Sequence, residues 1–222
     1  MPARRRRLAP IAAAVVALAL AVGVPGLTAA GGYAQDTYFS SAYDGQIDNR
    51  TCVPASVSMT LNILEGSDID ANQMTILQYA QPRDALDDGV QRGTDPLGWS
   101  VAATHFSQTT RRPTTYRWEA YDRKGSALRR AAMQIARFDK PVGLLVQHGQ
   151  HAVLMTGFTA TANPLKQRRW SLTGIWFSDP LGSHHAYVSF TNAPLNTYLE
   201  TDATPEYDAL WYGKYIVVVP RN

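Results

Sequence analysis

The chain of 222 residues contains one cysteine, Cys52, at the start of a stretch, Thr51–Leu64, whose apolar residues recur at helical spacing. A thiol is a good nucleophile only as the thiolate, and both a helix N-terminus and a nearby imidazolium lower its pKa. The predicted helix supplies the first of these effects. We therefore interpret Cys52 as a nucleophile with a lowered pKa. The alternatives for a lone cysteine are a small buried residue and an intermolecular disulfide.

Two histidines compete for the role of the base that would activate this thiol. His151 opens a predicted strand and is followed by four apolar residues, 152–155, so we place it at the edge of a buried sheet. His148 stands three residues earlier, in a polar turn. Strand side chains alternate, so positions three apart face opposite ways if both are extended. We therefore expect His151 to be the base and His148 to be solvated.

Two further residues have the chemistry to complete such a site. A base of this kind needs a third group that holds the imidazole in the right tautomer. Asp179 ends the next predicted strand, and neighbouring antiparallel strands can bring such residues side by side. Acyl transfer also needs donors for the developing oxyanion. Gln46 lies six residues before Cys52, so its amide and the N–H of Cys52 are candidates for that role.

Four helices are predicted in the first half of the chain. The second is capped by Asp70, the third begins at Thr94 or Asp95, before a proline, and the fourth begins at Ser126. The residues expected to face the core from these three helices are Met74, Ile76 and Leu77; Leu97, Val101 and Phe106; and Leu128, Ala131, Ala132, Ile135 and Phe138.

The second half of the chain has the composition of strands, rich in β-branched and aromatic residues. The predicted strands are Pro141–Val146, His151–Phe158, Trp170–Phe177, Ala186–Phe190 and Tyr215–Val219. A helical first half followed by an antiparallel sheet predicts an α+β fold, in one domain over residues 35–222. We expect the active site in the cleft between the helices and the sheet.

The order of these candidates resembles the papain-like cysteine peptidase superfamily, and more narrowly its bacteriocin-processing (double-glycine leader) peptidase-like group. The segments that carry the resemblance are Gln46–Met59, Pro141–Phe158, Phe177–Gly182 and the closing Trp211–Tyr215. The resemblance implies a papain-like cysteine proteinase fold. It also implies a catalytic set of nucleophile, base, orienting carboxylate and oxyanion donor, which are Cys52, His151, Asp179 and Gln46.

The implied activity is hydrolysis of a peptide or related amide bond through an acyl-enzyme, with a peptide or protein as substrate and with no cofactor. The chain departs from the group at Val53, because the group commonly has glycine after the cysteine. A side chain there is expected either to narrow access to the thiol or to change which substrate fits. Two rival functions stay open. One is a Cys-dependent transferase or amidase of the same fold, and the other is an inactive secreted binding module.

The first 34 residues are interpreted as an export signal. Four arginines, Arg4–Arg7, precede the apolar run Ile11–Val24, and small residues follow, so cleavage is expected near Ala30 or Ala34. The apolar run is shorter than the roughly 20 residues that span a bilayer. The chain is therefore expected to be secreted, by the Sec or the twin-Arg route, and to have no membrane association after cleavage.

The charge of the mature chain gives no reason to expect a nucleic-acid partner. The whole chain has 21 Lys and Arg against 18 Asp and Glu, and removal of the four leader arginines leaves 17 against 18. We expect a monomer. A metal site at His184 and His185 is disfavoured, because the sequence has neither a second cysteine nor a His-Glu-x-x-His motif.

Overall fold

The computed structural model describes residues 32–85, 93–199 and 210–222 of the chain. The predicted signal segment lies outside the described residues, apart from residues 32–34. Within the described ranges the chain forms four α-helices and seven strands. None of the helices in these ranges is long and apolar enough to cross a bilayer.

All four predicted helices are present. They are α1 (Cys52–Glu65), α2 (Gln73–Ala80), α3 (Pro96–Ser107) and α4 (Lys124–Phe138). α1 begins at the candidate nucleophile and is buried along almost its whole length. It ends where Gly66 adopts a φ of 84° and donates its N–H to the carbonyl of Asn62, a conformation that glycine adopts without steric cost.

The cap of α2 differs from the prediction. Asn72, and not Asp70, is the N-cap, and its side chain accepts a hydrogen bond from the N–H of Thr75. Asp70 instead has a φ of 49°, in the left-handed region that aspartate tolerates better than most residues. The α3 prediction is confirmed at Asp95, whose carboxylate accepts hydrogen bonds from the N–H groups of Leu97 and Gly98.

The face that α3 buries also differs from the prediction. Trp99, Ala102 and Ala103 are buried, whereas the predicted inward residues are only half-buried, namely Leu97, Val101 and Phe106. The reason is a close approach between α3 and the sheet, because the ring of Trp99 fills the space where Gly143 lacks a side chain. A Cβ on Gly143 would lie 2.3 Å from that ring.

The strands form one antiparallel sheet in the order β2-β7-β3-β4-β5-β6, with β1 paired to the second half of β4. Their bounds are β1 Tyr33–Asp36, β2 Tyr116–Tyr121, β3 Val142–Val146, β4 His151–Ala160, β5 Leu172–Asp179, β6 Ser183–Ser189 and β7 Tyr215–Pro220. The five predicted strands are present with shifted ends. The predicted α+β class is therefore confirmed.

Two strands, β1 and β2, are absent from the sequence prediction. β1 has only four residues, and the first two of them, Tyr33 and Ala34, fall within the predicted signal segment. β2 is an aromatic strand interrupted by Arg117 and Glu119, which form an ion pair. Both strands pair with partners far along the chain, so no local pattern reveals them.

The sheet is covered on both faces by helices. α4 packs on one face, where its apolar stripe meets side chains such as Val153 and Val217. α1 and α3 pack on the other face, against neighbouring residues of the same strands, Ala152 and Val218. Because side chains alternate along a strand, adjacent residues of β4 and β7 serve the two cores. The N-terminus of α1 therefore packs against the start of β4.

The carboxyl group of Asp84 makes the stability of the α3 N-terminus depend on pH. Asp84 Oδ1 accepts hydrogen bonds from Thr94 Oγ1 and the N–H of Asp95, and burial together with the charge of Asp95 raises the pKa of Asp84 to about 7. The folded protein therefore keeps a proton that the unfolded chain loses near pH 4, so stability should fall as the pH rises from about 4 to about 7.

We expect Asp84→Asn to remove this loss, because an amide keeps an acceptor and carries no charge. Thermal melts at pH 5 and pH 8 should show the variant a few degrees more stable than the parent at pH 8 and little changed at pH 5. An equal drop in melting temperature for both proteins between these pH values would contradict the assignment.

Candidate active site

Cys52 is the first residue of α1 and is 9% exposed. Its side chain belongs to a buried cluster that includes Val53 and Ala152. The backbone N–H groups of Cys52, Val53 and Ala152 are oriented toward the thiol, so they stabilise the thiolate. Since Ala152 follows His151 in β4, the structure brings the candidate nucleophile to the strand that carries the candidate base.

The pKa of Cys52 is raised, not lowered. Burial is the largest cause, and the negative charge of Asp179 adds to it, while the three backbone N–H groups act in the opposite direction. The sequence prediction of a lowered pKa is therefore wrong for this structure, because a helix N-terminus does not offset the loss of hydration around a buried sulfur. A raised pKa favours the neutral thiol, so a nucleophilic role for Cys52 would require a base that takes its proton.

His151 and Asp179 are in direct contact. The imidazole Nε2 lies 2.7 Å from Asp179 Oδ1, and His151 is almost fully buried. The same carboxylate oxygen accepts the N–H of Leu181 at 2.9 Å, in the turn after β5, so the side chain of Asp179 is fixed from two sides. With Nε2–H donating to the carboxylate, Nδ1 carries the lone pair and can accept a proton.

Gln46 lies in the loop that leads into α1. Its Nε2 donates to the carbonyl of Asp48 at 2.7 Å, and its backbone N–H donates to the carbonyl of Pro180 at 3.0 Å. The first bond fixes the amide orientation, because the opposite orientation would place two acceptors against each other. One Nε2–H then remains for another acceptor. The bond from the Gln46 N–H to the carbonyl of Pro180 joins this loop to the turn after Asp179.

Val53 and His148 occupy positions that bear on the sequence interpretation. Val53 is 2% exposed and packs into the same buried cluster as Cys52, so its side chain is part of the core. His148 is exposed in the turn between β3 and β4, with a φ of 54°. It therefore lies outside the strand that His151 begins.

The remaining histidines of the β6 region make contacts other than metal ligation. His185 Nε2 lies 2.7 Å from Asp36 Oδ2 and its ring stacks on Tyr38. His184 stacks on Tyr43, with ring centroids 3.8 Å apart. Among the described residues, no group of three His, Cys, Asp or Glu side chains is placed to hold a metal ion.

Two residues that organise the site are absent from the sequence interpretation. The hydroxyl of Thr51, fully buried, accepts the N–H groups of Ile47 and Asp48, both at 3.0 Å. Gln73, in α2, holds the same loop from the other side. A threonine before a helix is a readable signal, although here it bonds backward into the loop and not into the helix. Gln73 offers no local signal, since its loop partners lie more than 20 residues away.

Comparisons with known proteins give distant structural relatives. A search of curated proteins finds no match. A double glycine motif protease from an AMS/PCAT transporter, solved with its leader peptide, is 13% identical with a TM-score of 0.41, over 81% of this chain and 91% of that one. The peptidase domain of Streptococcus ComA, a bi-functional ABC transporter, is 16% identical with a TM-score of 0.39, over 80% and 97%.

UfSP from C. elegans is also 16% identical, with a TM-score of 0.45, and the match spans 82% of this chain but only 32% of that one. The model of the Peptidase_C39-like family matches residues 38–204, a range that includes all four candidate residues, Gln46, Cys52, His151 and Asp179. The resemblance inferred from the motifs is thus confirmed, and the chain belongs to the Peptidase_C39-like family.

Proposed function

We propose that this chain is a secreted cysteine peptidase that hydrolyses peptide bonds through Cys52, His151 and Asp179. Membership of the Peptidase_C39-like family supports cysteine peptidase activity. The observation that carries the assignment of residues is the 2.7 Å contact between His151 Nε2 and Asp179 Oδ1, at the start of the strand whose next residue contacts the thiol. With Nε2 bonded to Asp179, Nδ1 is the ring nitrogen of His151 that is left to act as the base for the Cys52 thiol.

The reaction begins when Cys52 Sγ attacks the scissile carbonyl carbon and its proton passes to His151 Nδ1. The carbonyl oxygen becomes an oxyanion, which the N–H of Cys52 and the Nε2–H of Gln46 stabilise. His151 then gives the proton to the leaving amine, the C–N bond breaks, and a thioester remains on Cys52. Water attacks the thioester with His151 as base, which releases the acid and restores the thiol. No step requires a cofactor.

Asp179 acts through His151 and not on the substrate. Its carboxylate holds the Nε2–H tautomer and stabilises the imidazolium that forms when the thiol loses its proton. Because burial keeps Cys52 protonated in the resting state, this stabilisation matters most during attack.

The test is hydrolysis of a peptide library in water enriched in oxygen-18, with mass spectrometry of the products. The parent protein should cleave peptides and place the heavy oxygen in the new carboxyl group, and Cys52→Ala should give no cleavage. A transferase would join the acyl group to an amine without incorporation of the heavy oxygen. An inactive binding module would give no Cys52-dependent product of either kind, and this outcome would reject the proposal.

The proposal includes export and action outside the cell as a monomer. The position of β1 favours cleavage of the signal near Ala30. β1 begins at Tyr33, whose ring packs against Phe158, so cleavage after Ala34 would remove half of a strand that pairs with β4. N-terminal sequencing of the secreted protein distinguishes the two sites, and a mature chain that begins at Gln35 would contradict this choice.

A further inference from the structure

Gln73 is a buried polar residue at the start of α2 whose side chain bonds to the loop of Gln46. Its Nε2 donates to the carbonyl of Gly45 at 2.7 Å, and its Oε1 accepts the N–H of Ile47 at 3.3 Å. Gly45 and Ile47 are the two neighbours of Gln46 in the chain. A single amide therefore holds the peptide groups on both sides of the candidate oxyanion donor.

The loop is held by two other groups, each from a different element. The carbonyl of Pro180, in the turn after β5, accepts the N–H of Gln46. The hydroxyl of Thr51, at the start of α1, accepts the N–H of Ile47. Both of these elements also carry a residue of the proposed triad. Gln73 is different, because α2 contributes no group to the reaction.

The burial of Gln73 indicates that this contact is its main role. The side chain is only 5% exposed, and a buried amide is costly unless its polar atoms are paired. Here the two polar atoms are paired with the backbone of one loop. An apolar residue would serve the packing of α2 equally well, whereas only a group with both a donor and an acceptor can bridge Gly45 and Ile47.

We propose that Gln73 is a positioning residue, which holds Gln46 so that its amide points at the oxyanion. This role rests on the proposed function. Stabilisation of an oxyanion depends on donors that are already in place, and a misplacement of about 1 Å can cost on the order of 10²-fold in rate. An unanchored loop would let the Gln46 side chain move by such amounts while Cys52 and His151 stay in place on α1 and β4.

The experiment is a double-mutant cycle between Gln73→Met and Gln46→Ala, measured as kcat and KM with the best peptide from the library. Methionine is close to glutamine in shape and cannot form either bond. We expect Gln46→Ala to lower kcat by about 10²–10³-fold and Gln73→Met to lower it about tenfold, each with little change in KM. In the Gln46→Ala background, Gln73→Met should cost less than about twofold, because the donor that it positions is gone.

Gln134→Met is the matched control. Gln134 is also a buried glutamine, and its Nε2 donates to the carbonyl of Pro220 at 2.7 Å, on α4 and away from the site. Its loss removes one buried hydrogen bond from a glutamine of another helix, and it should leave kcat unchanged. If Gln73→Met does not fold, Gln73→Asn replaces it, since the shorter amide keeps a polar side chain but cannot span both Gly45 and Ile47.

The outcomes separate the two proposals. If Cys52→Ala abolishes hydrolysis but Gln73→Met retains full kcat, the positioning role is wrong and the proposed function stands. A tenfold loss that is equally large with and without Gln46 also overturns the role, because Gln73 then acts on something else. If hydrolysis does not depend on Cys52, the proposed function is wrong and the positioning role is rejected with it.

Discussion

Replacement of His151 with alanine should lower kcat by about 10³-fold or more, close to the level of Cys52→Ala. The thiol of Cys52 is buried and its pKa is raised, so it depends on a neighbouring base for deprotonation during attack. His151 contacts Asp179 and precedes the residue whose N–H approaches the thiol, so its loss should remove the base that the proposal assigns to Cys52. The measurement is steady-state kinetics on the peptide identified from the library.

His148→Ala is the control for this prediction, since the side chain of His148 is exposed in the turn three residues earlier. It should keep most of the activity, and an inactive His148→Ala protein with an active His151→Ala protein would reverse the assignment. Alkylation by iodoacetamide gives an independent measurement. For the parent, the rate should rise with pH through a value above the roughly 8.5 of a free thiol. Fast alkylation near pH 6 would instead show a thiolate–imidazolium pair in the resting protein.

Replacement of Asp179 with alanine should lower kcat by about 10²–10⁴-fold, through the orientation and charge of His151. The carboxylate makes a 2.7 Å contact with His151 Nε2, and without it the imidazole can adopt the tautomer that directs a proton, not a lone pair, at the thiol. The effect should appear in kcat and leave KM nearly unchanged, since Asp179 does not contact the substrate.

Asp179→Asn separates orientation from charge. An asparagine oxygen can accept both His151 Nε2–H and the N–H of Leu181, so this variant should retain more activity than Asp179→Ala. Melting curves of both variants are needed, because Asp179 also stabilises the turn after β5. A well-folded Asp179→Ala protein with unchanged kcat would remove Asp179 from the triad.

The three residues of the proposed triad could be found from the sequence because each stands at the end of a strongly patterned element. Cys52 begins an apolar helix, His151 begins an apolar strand, and Asp179 ends the next one. Where a helix packs on an antiparallel sheet, its first residue can lie beside the ends of neighbouring strands. The predicted helix and strands were therefore enough to expect these three residues close together. The register of β4 and β5 pairs Leu154 with Ser178, which brings Asp179 to the end of β4 where His151 lies, and the side chains then make the contact.

The features that the sequence did not predict depend on contacts between distant segments. The pKa of Cys52 is decided by how deeply the α1 terminus is packed against β4, and no helix pattern contains that information. The buried face of α3 was predicted wrongly because apolar residues surround that helix, and the choice of Trp99 depends on a glycine in β3. The role of Gln73 was not predicted for the same reason, since its side chain in α2 bonds to the distant loop that contains Gly45.

The burial of Cys52 also bears on the chemical durability of the protein. Oxidation of cysteine to sulfenic acid proceeds through the thiolate and requires access for the oxidant. Cys52 is 9% exposed, its pKa is raised, and the chain has no second cysteine to form an internal disulfide. In the oxidising surroundings that export would bring, a thiol that ionises only when substrate is attacked should resist peroxide far longer than a permanently ionised one. The same requirement for ionisation should slow the attack of the Cys52 thiol on each substrate molecule, while the protein stays active for longer in the presence of oxidants.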